Sequence, residues 1–587
     1  MKYNIRNNSF LNKTTKAATM KKTIGKAGKR LLLATVLLTL MSPAWSQDKL
    51  MGIMRTELQR EKKAYDASAL PPYYISYRVE DIKKQNITTF FGALIDSHED
   101  HTRTLTPSVR VGSFSLDNFH PGGLKTPVAA SSTPMPFDDN VQANQQTIWN
   151  FTDACYRKAV NALINVKSAM AVAVASEDKS PDFSKADVVK YYEPLLNENQ
   201  AKIDRNKWEG RLRKYSDIFL KDSHIISGSA IMTNEISRKY FIDTDGSETI
   251  ENRTATRIMI SGSIKADDGM EMPLYLSYFS FTPEGLPDDK TMTSDVQKLV
   301  DKLILLRTAP VAQPFSGPAL LLGGASGVFF HEIFGHRVEG LRMRKETDGR
   351  TFKKKIGESV LPLTFSVAMD PTMKNYQGQD LNGYYKIDDE GVRGEQVNVV
   401  ENGILKNFLM TRTPLDGFLH SNGHARASAG NDVTSRQSNL IVTTSDLKTD
   451  EQLRKLLIEE AKNQGKEYGY VFASVSGGFT LTMTNQPNAF NVSPVEVYRV
   501  YVDGRPDELV RGVDLIGTPL SMFSQIMCAG GKSEVFTGVC GAESGQIPVT
   551  AISPSILVKQ VETQLKSKSQ MRLPVLERPT ISLINNN

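Results

Sequence analysis

Residues 326–340 read SGVFFHEIFGHRVEG, and three of them are types from which metal-dependent hydrolysis is built. His331 and His336 offer imidazole nitrogens to a divalent ion, and Glu332 offers a carboxylate able to carry a proton. Their spacing is unusual. A step of four residues turns a helix by about 400° and keeps two side chains on one face; a step of five turns it by about 500° and splays them by roughly 140°. Both histidines can face one ion only where the helix is distorted. A one-residue π-bulge would do this, and so would a break at Gly335, where the backbone deforms at low steric cost. From these letters alone, a metal pair and two incidental histidines on a buried helix both stay open.

A catalytic zinc site needs three protein ligands and one open position. The chain has three cysteines, Cys155, Cys528 and Cys540, so an exported protein could form one disulfide, Cys155 with Cys528 being one such pairing, and leave a thiol over. Cys540, in the glycine-rich run FTGVCGAESGQIP, is the better third-ligand candidate. Cys528 reads as a packed cysteine ending an apolar helix. Glu339 is close enough in sequence to support the site or to be a solvated charge. His420 and His424 stand four apart, but Gly423 between them argues for a loop and an incidental pair. Arg436, Arg426 and His424 share the block GHARASAGNDVTSRQSNL and are candidates to bind a peptide carboxylate or an oxyanion; solvated loop charges are the alternative.

The elements that must hold these residues follow from pattern. At 587 residues the chain exceeds one ordinary core, and two domains are expected, at 47–307 and 308–587. Residues 1–46 read as a signal peptide: a basic stretch, the apolar run LLLATVLLTLM, too short to span a bilayer comfortably, and the small-x-small site Ala44-Trp45-Ser46. Met20 could be the true start. Export to the periplasm or medium is expected, with no stable membrane span after cleavage. These 46 residues hold nine of the 71 basic residues and none of the 65 acids, so the remainder carries 62 against 65, a formal −3. Nucleic acid is therefore not an expected partner. The fold class is α+β. The N-terminal domain is mixed, with helical patterns at about 50–67, 146–175, parts of 185–221 and 291–307, a strand at 107–116, and an antiparallel sheet over 225–281. The stretch 308–318 reads as a linker. The C-terminal domain is mostly β, with a hairpin turning at Asn402-Gly403, a strand-turn-strand run around Asp503-Gly504, a helix at about 519–527, and the His-bearing segment as one of its few helices.

HEIFGHRVEG resembles the HExxxH signature of the TldD/PmbA family of modulator-of-gyrase-type metallopeptidases. The segments IDDEGVRGEQVNVVENGILKNFLMTRTPLDGF, GHARASAGNDVTSRQSNLIV, LVRGVDLIGTPLSMFSQI and FTGVCGAESGQIPV resemble that family's blocks in the same order, across most of 310–557. Over 47–300 only PSVRVGSFSLDNF is faintly similar to it. The resemblance implies Zn²⁺ held by His331, His336 and Cys540, with Glu332 as general base for a metal-activated water, in a peptidase of the catalytic rather than the metal-free subunit type. It also implies a homodimer, or a heterodimer with a family member. Typical members are cytoplasmic, so the export signal is a departure. The many strands suggest that unfolded or flexible peptides bind by pairing with a sheet edge. Two other classes stay open: a cysteine hydrolase using Cys540, and a non-catalytic exported partner or scaffold subunit keeping a structural metal site.

Overall fold

The computed structural model describes residues 48–120, 132–171, 178–197, 201–345, 348, 350–481 and 490–566. The expected signal peptide lies outside them. Two compact units result. In Met1–Gly52 the described part is residues 48–52, within helix α1 (Lys49–Tyr65); Ile53–Asn587 holds the rest. Among the described residues no helix is long and apolar enough to cross a membrane.

The first sheet is built on two long hairpins. Strands β1 (Pro72–Phe90) and β2 (Ala93–Val111) form one, followed by helices α2 (Val141–Met170) and α3 (Arg205–Asp217). Strands β3 (Ile225–Asp243) and β4 (Glu248–Lys265) form the other, and β5 (Glu271–Ser280) follows in sequence. These five strands run in the order β2-β1-β3-β4-β5, each pairing antiparallel, and the short strand Lys190–Tyr192 joins β4 in parallel. Alternation sorts its faces. Ile258 and Ile260 of β4 join Trp208, Leu212 and Tyr215 of α3 and Val296, Val300 and Leu303 of α4 (Asp289–Thr308) in one core. Residues of the other parity, Arg253, Ala255, Arg257 and Met259, face two cavities instead.

The second sheet begins where a linker was expected, with β6 (Phe315–Leu321). Helix α5 (Gly323–Ile333) follows at once. Then come β7 (Phe365–Met369), β8 (Val397–Glu401), β9 (Asn439–Thr444), β10 (Tyr468–Thr480), β11 (Phe490–Tyr501), β12 (Val513–Gly517), β13 (Ile526–Ala542) and β14 (Gly545–Leu565). Strand β14 pairs with β12, β12 with β11, β11 with β10, β10 with β6, and β6 again with β14, so these five strands close a ring. The turn after β8 has Asn402 and Gly403 at φ 47° and 76°, as the Asn-Gly pair predicts. Helix 519–527 shrinks to Pro519–Phe523, because from Ile526 the chain is already in β13. Cys528 thus packs in a strand, not at a helix end.

Candidate metal centre

Helix α5 is buried along nearly its whole length, including both aromatic residues before His331. Its glycines permit this. A Cβ at Gly323 would meet Glu534 and the Ser553 carbonyl at 2.8 Å, so the first turn lies directly on the β13–β14 hairpin. There the Glu534 carboxylate accepts from the Gly324 amide at 2.8 Å, a favourable charge at a helix N-terminus. The helix ends at Ile333, and residues 335–337 form a 3₁₀ turn. No π-bulge is used. The break at Gly335 swings His336 back beside His331, with ring centroids 5.0 Å apart at 79°. Gln437 fills the space a side chain at 335 would need: a Cβ there would overlap its carboxamide, whose Nε2 donates to the His331 carbonyl at 3.2 Å.

Cys540 comes from the far end of β13, in register with Ile547 near the hairpin tip, rather than from a loop. One donor atom each from His331, His336 and Cys540 lie within 4.8 Å of one another, and Cys540 Sγ stands 3.3 Å from His336 Nε2. Tetrahedral coordination with Zn–N about 2.0 Å and Zn–S about 2.3 Å sets donors roughly 3.3–3.6 Å apart. The donor set fits a metal ion after small rotamer adjustments. The other face of His336 supports this: Nδ1 sits 3.2 Å from both oxygens of Glu339, which fixes ring and tautomer as carboxylates do behind metal-bound imidazoles. Glu339 is fully buried, accepts from Arg342 Nε at 2.6 Å and has Arg436 Nε 3.7 Å away. Arg342 in turn reaches Glu543 at 2.9 Å.

This charge network polarises the thiol and imidazole. Burial would lower His336, but the Glu339 carboxylate and the Cys540 sulfur outweigh it and push it up to about 10. Burial would raise Cys540, but His336 and His331 pull it down to about 4. Burial would also raise Glu339, yet His336 and Arg342 hold it well below the usual carboxylate range. Both shifts act in the direction of a thiolate beside an imidazolium when no metal is bound.

Glu332, His331, His336, Cys540 and Arg257 line one cleft of about 620 Å³. Gly478 of β10 also lines it, and a Cβ there would stand 2.8 Å from Glu332 Cγ. The expected substrate-binding trio does not reach this cleft. Arg436 is buried behind it, donating to the Cys540 carbonyl and to Ser544 Oγ, each at 2.8 Å. Its observed contacts hold the strand that carries Cys540. Arg426 donates to the carbonyls of Gln437 and Pro548 and stacks on Tyr385. His424 is fully buried, 3.2 Å from Ser438 Oγ, and burial pushes it down to about 3. His420 is not among the cleft residues. All three cysteines are free. Sequence reasoning did not find Gln437, Arg342, Gly478 or Arg257, since none carries a spacing signal to the histidines.

An α+β frame that brings a His-Glu helix and a strand-borne thiol to one cleft defines a candidate metal-dependent hydrolase centre. The family model of the PmbA/TldA metallopeptidase C-terminal domain matches residues 316–564. Residues 316–564 are thus similar to the C-terminal domain of the TldD/PmbA family. It is 30% identical over 234 residues to a metalloprotease of Archaeoglobus fulgidus, covering 40% of this chain and 50% of the relative. It is 28% identical over 248 residues to a zinc metalloprotease TldD homolog of Saccharolobus solfataricus, covering 42% and 51%. The chain thus spans about half the length of these curated relatives. TldE from Thermococcus kodakarensis shares the fold, with a TM-score of 0.58 at 12% identity, over 87% of this chain and 100% of that one.

Proposed function

We propose that this protein is a zinc-dependent peptidase in which His331, His336 and Cys540 hold the metal and Glu332 is the general base. The observation that carries the reading is the convergence of these three donors on the cleft that Glu332 lines. The names of the relatives, metalloprotease and zinc metalloprotease, support it. Zinc bound there supplies Lewis acidity, polarising a carbonyl oxygen and acidifying water. Glu332 takes the proton of the attacking water and delivers it to the leaving amine. Glu339 is unsuited to that task, because His336 and Arg342 already engage it in a fully buried place. The irregular end of β10 and the glycine-rich end of β13 both line the cleft, which supports extended, unfolded or flexible peptides as substrates. Export, and assembly as a homodimer or with a family member, belong to the same proposal.

A second reading has its own observation. Cys540, His336 and Glu339 form a hydrogen-bonded chain of the kind that activates a thiol nucleophile. It leaves His331 and Glu332 without a task, and the metal reading uses both. The test is peptide cleavage by wild type, Glu332→Gln and Cys540→Ala, with zinc content measured on each. The metal reading expects Glu332→Gln to keep its zinc while losing about 10²–10⁴-fold in rate, Cys540→Ala to lose zinc, and chelation to abolish activity until zinc is restored. Full activity in the chelated protein would establish the cysteine route. Unchanged cleavage by Glu332→Gln would refute the assigned base. Fractionation of a C-terminally tagged chain checks export, and light scattering of the purified protein checks assembly.

A further inference from the structure

The cleft has a second wall that the chemistry above does not use. It comes from the first sheet, where Arg257 of β4 lines both this cleft and an adjoining cavity of about 570 Å³. Arg257 Nη1 meets only neutral acceptors, donating to Ser277 Oγ at 2.7 Å and to the Thr537 carbonyl at 3.3 Å. Nη2 is buried and has no hydrogen-bond partner among the described residues. No carboxylate among them ion-pairs with this guanidinium; the Phe279 ring centroid lies 5.3 Å from its Cζ, and a second cation, Arg253, acts on it unfavourably. Burial and Arg253 push Arg257 down to about 10, so it stays charged at neutral pH. The contrast within the cleft is with Arg342, which Glu339 and Glu543 neutralise. A desolvated guanidinium with an unused donor is costly unless an anion meets it, and arginine is the side chain whose fork matches a carboxylate. The position of Arg257 in the same cleft as the metal donors makes a substrate group the natural source of that anion.

We infer that Arg257 is the specificity-determining residue of this cleft and that the favoured substrates are peptides presenting a carboxylate to it. The carboxylate is either the peptide's C-terminus or an Asp or Glu side chain near the cut bond. The inference rests on the peptidase reading for the identity of the ligand as a peptide, but recognition of the carboxylate is a binding event and can be read without turnover.

The test uses two matched pairs of fluorescent peptides, one differing only in a free or amidated C-terminus and the other, amidated, only in Glu or Gln at one position. Binding is followed by fluorescence anisotropy on the zinc-loaded Glu332→Gln protein, with and without Arg257→Gln or Arg257→Lys, and cleavage is followed on wild type. The carboxylate member of at least one pair is expected to bind about tenfold tighter, as a charge-assisted contact allows. The pair that shows the preference identifies the source. Arg257→Gln is expected to remove the preference while leaving the neutral peptide's affinity and the zinc content unchanged, and Arg257→Lys to retain part of it. Equal affinity within both pairs, or a preference that survives Arg257→Gln, overturns the inference. Carboxylate-selective binding without cleavage would sink the peptidase reading and leave Arg257's role standing. Cleavage without selectivity would do the reverse, and no binding by any peptide overturns both.

Discussion

Gly335→Ala tests the physical claim on which the site depends, that the helix stops where it does because Gln437 occupies the place of a side chain. A Cβ at 335 would overlap Oε1, Cδ and Nε2 of Gln437 together, so the whole carboxamide must leave. Gln437 is 1% exposed and has little room to move. Its departure forfeits the bond to the His331 carbonyl, worth about 0.5–1.5 kcal/mol, and adds overpacking of about 1–3 kcal/mol. The sum, roughly 1.5–4.5 kcal/mol, falls between the two histidines. Zinc affinity, measured by competition with a chromophoric chelator, should drop about 10–100-fold, as when groups supporting metal ligands are changed. The double variant Gly335→Ala/Gln437→Ala should recover at least about 1 kcal/mol relative to the sum of the single changes, because the new methyl then fills the space vacated. Wild-type zinc affinity in Gly335→Ala, or strictly additive effects in the cycle, would refute the reasoning.

Three further outcomes follow from the same geometry. In the metal-free protein the Cys540 thiol is lowered from 9.0 to about 4 and the His336 imidazole is raised from 6.5 to about 10. The lowered thiol contributes stability present above its unfolded value and lost as pH falls through about 4; the raised imidazole contributes stability present below its unfolded value and lost as pH rises through about 10. Metal-free stability should therefore be highest between about pH 6.5 and 9 and decline on both sides, which thermal melts across pH will show. Metal binding at neutral pH should release about one proton, from His336, detectable by calorimetry in buffers of different ionisation enthalpy. Gly478→Ala places a methyl 2.8 Å from both Glu332 Cγ and the Asn491 carbonyl oxygen; where the side chain yields rather than the strand, cleavage should fall about tenfold or more while zinc content stays intact, and loss of zinc instead would mean that the strand, not the base, had moved.

The sequence by itself carried the local features. The His-Glu-His cluster, the glycine before His336, the Asn402-Gly403 turn and the helices Val141–Met170 and Asp289–Thr308 are set by residue type and short-range geometry, which composition and periodicity report directly. The antiparallel sheet over 225–281 was legible for the same reason. The strand β1 escapes the pattern because its charged middle hides the alternation, and the start of β6 reads as a linker because Gly317 and Pro318 mask a buried strand. Cys540 was singled out as an odd thiol, but a glycine-rich run does not reveal that it belongs to a 17-residue strand whose hairpin tip returns to the helix. Arg436, Arg426 and His424 looked like surface binding groups because charge in a polar block usually faces water; their inward hydrogen bonds exist only once distant strands close around them. Periodicity fixes which face a residue occupies, but not which remote face it meets. Only the tertiary structure decided that a thiol some two hundred residues away and an arginine from the other sheet share one cleft with the two histidines, and that a glutamine behind them holds the bend.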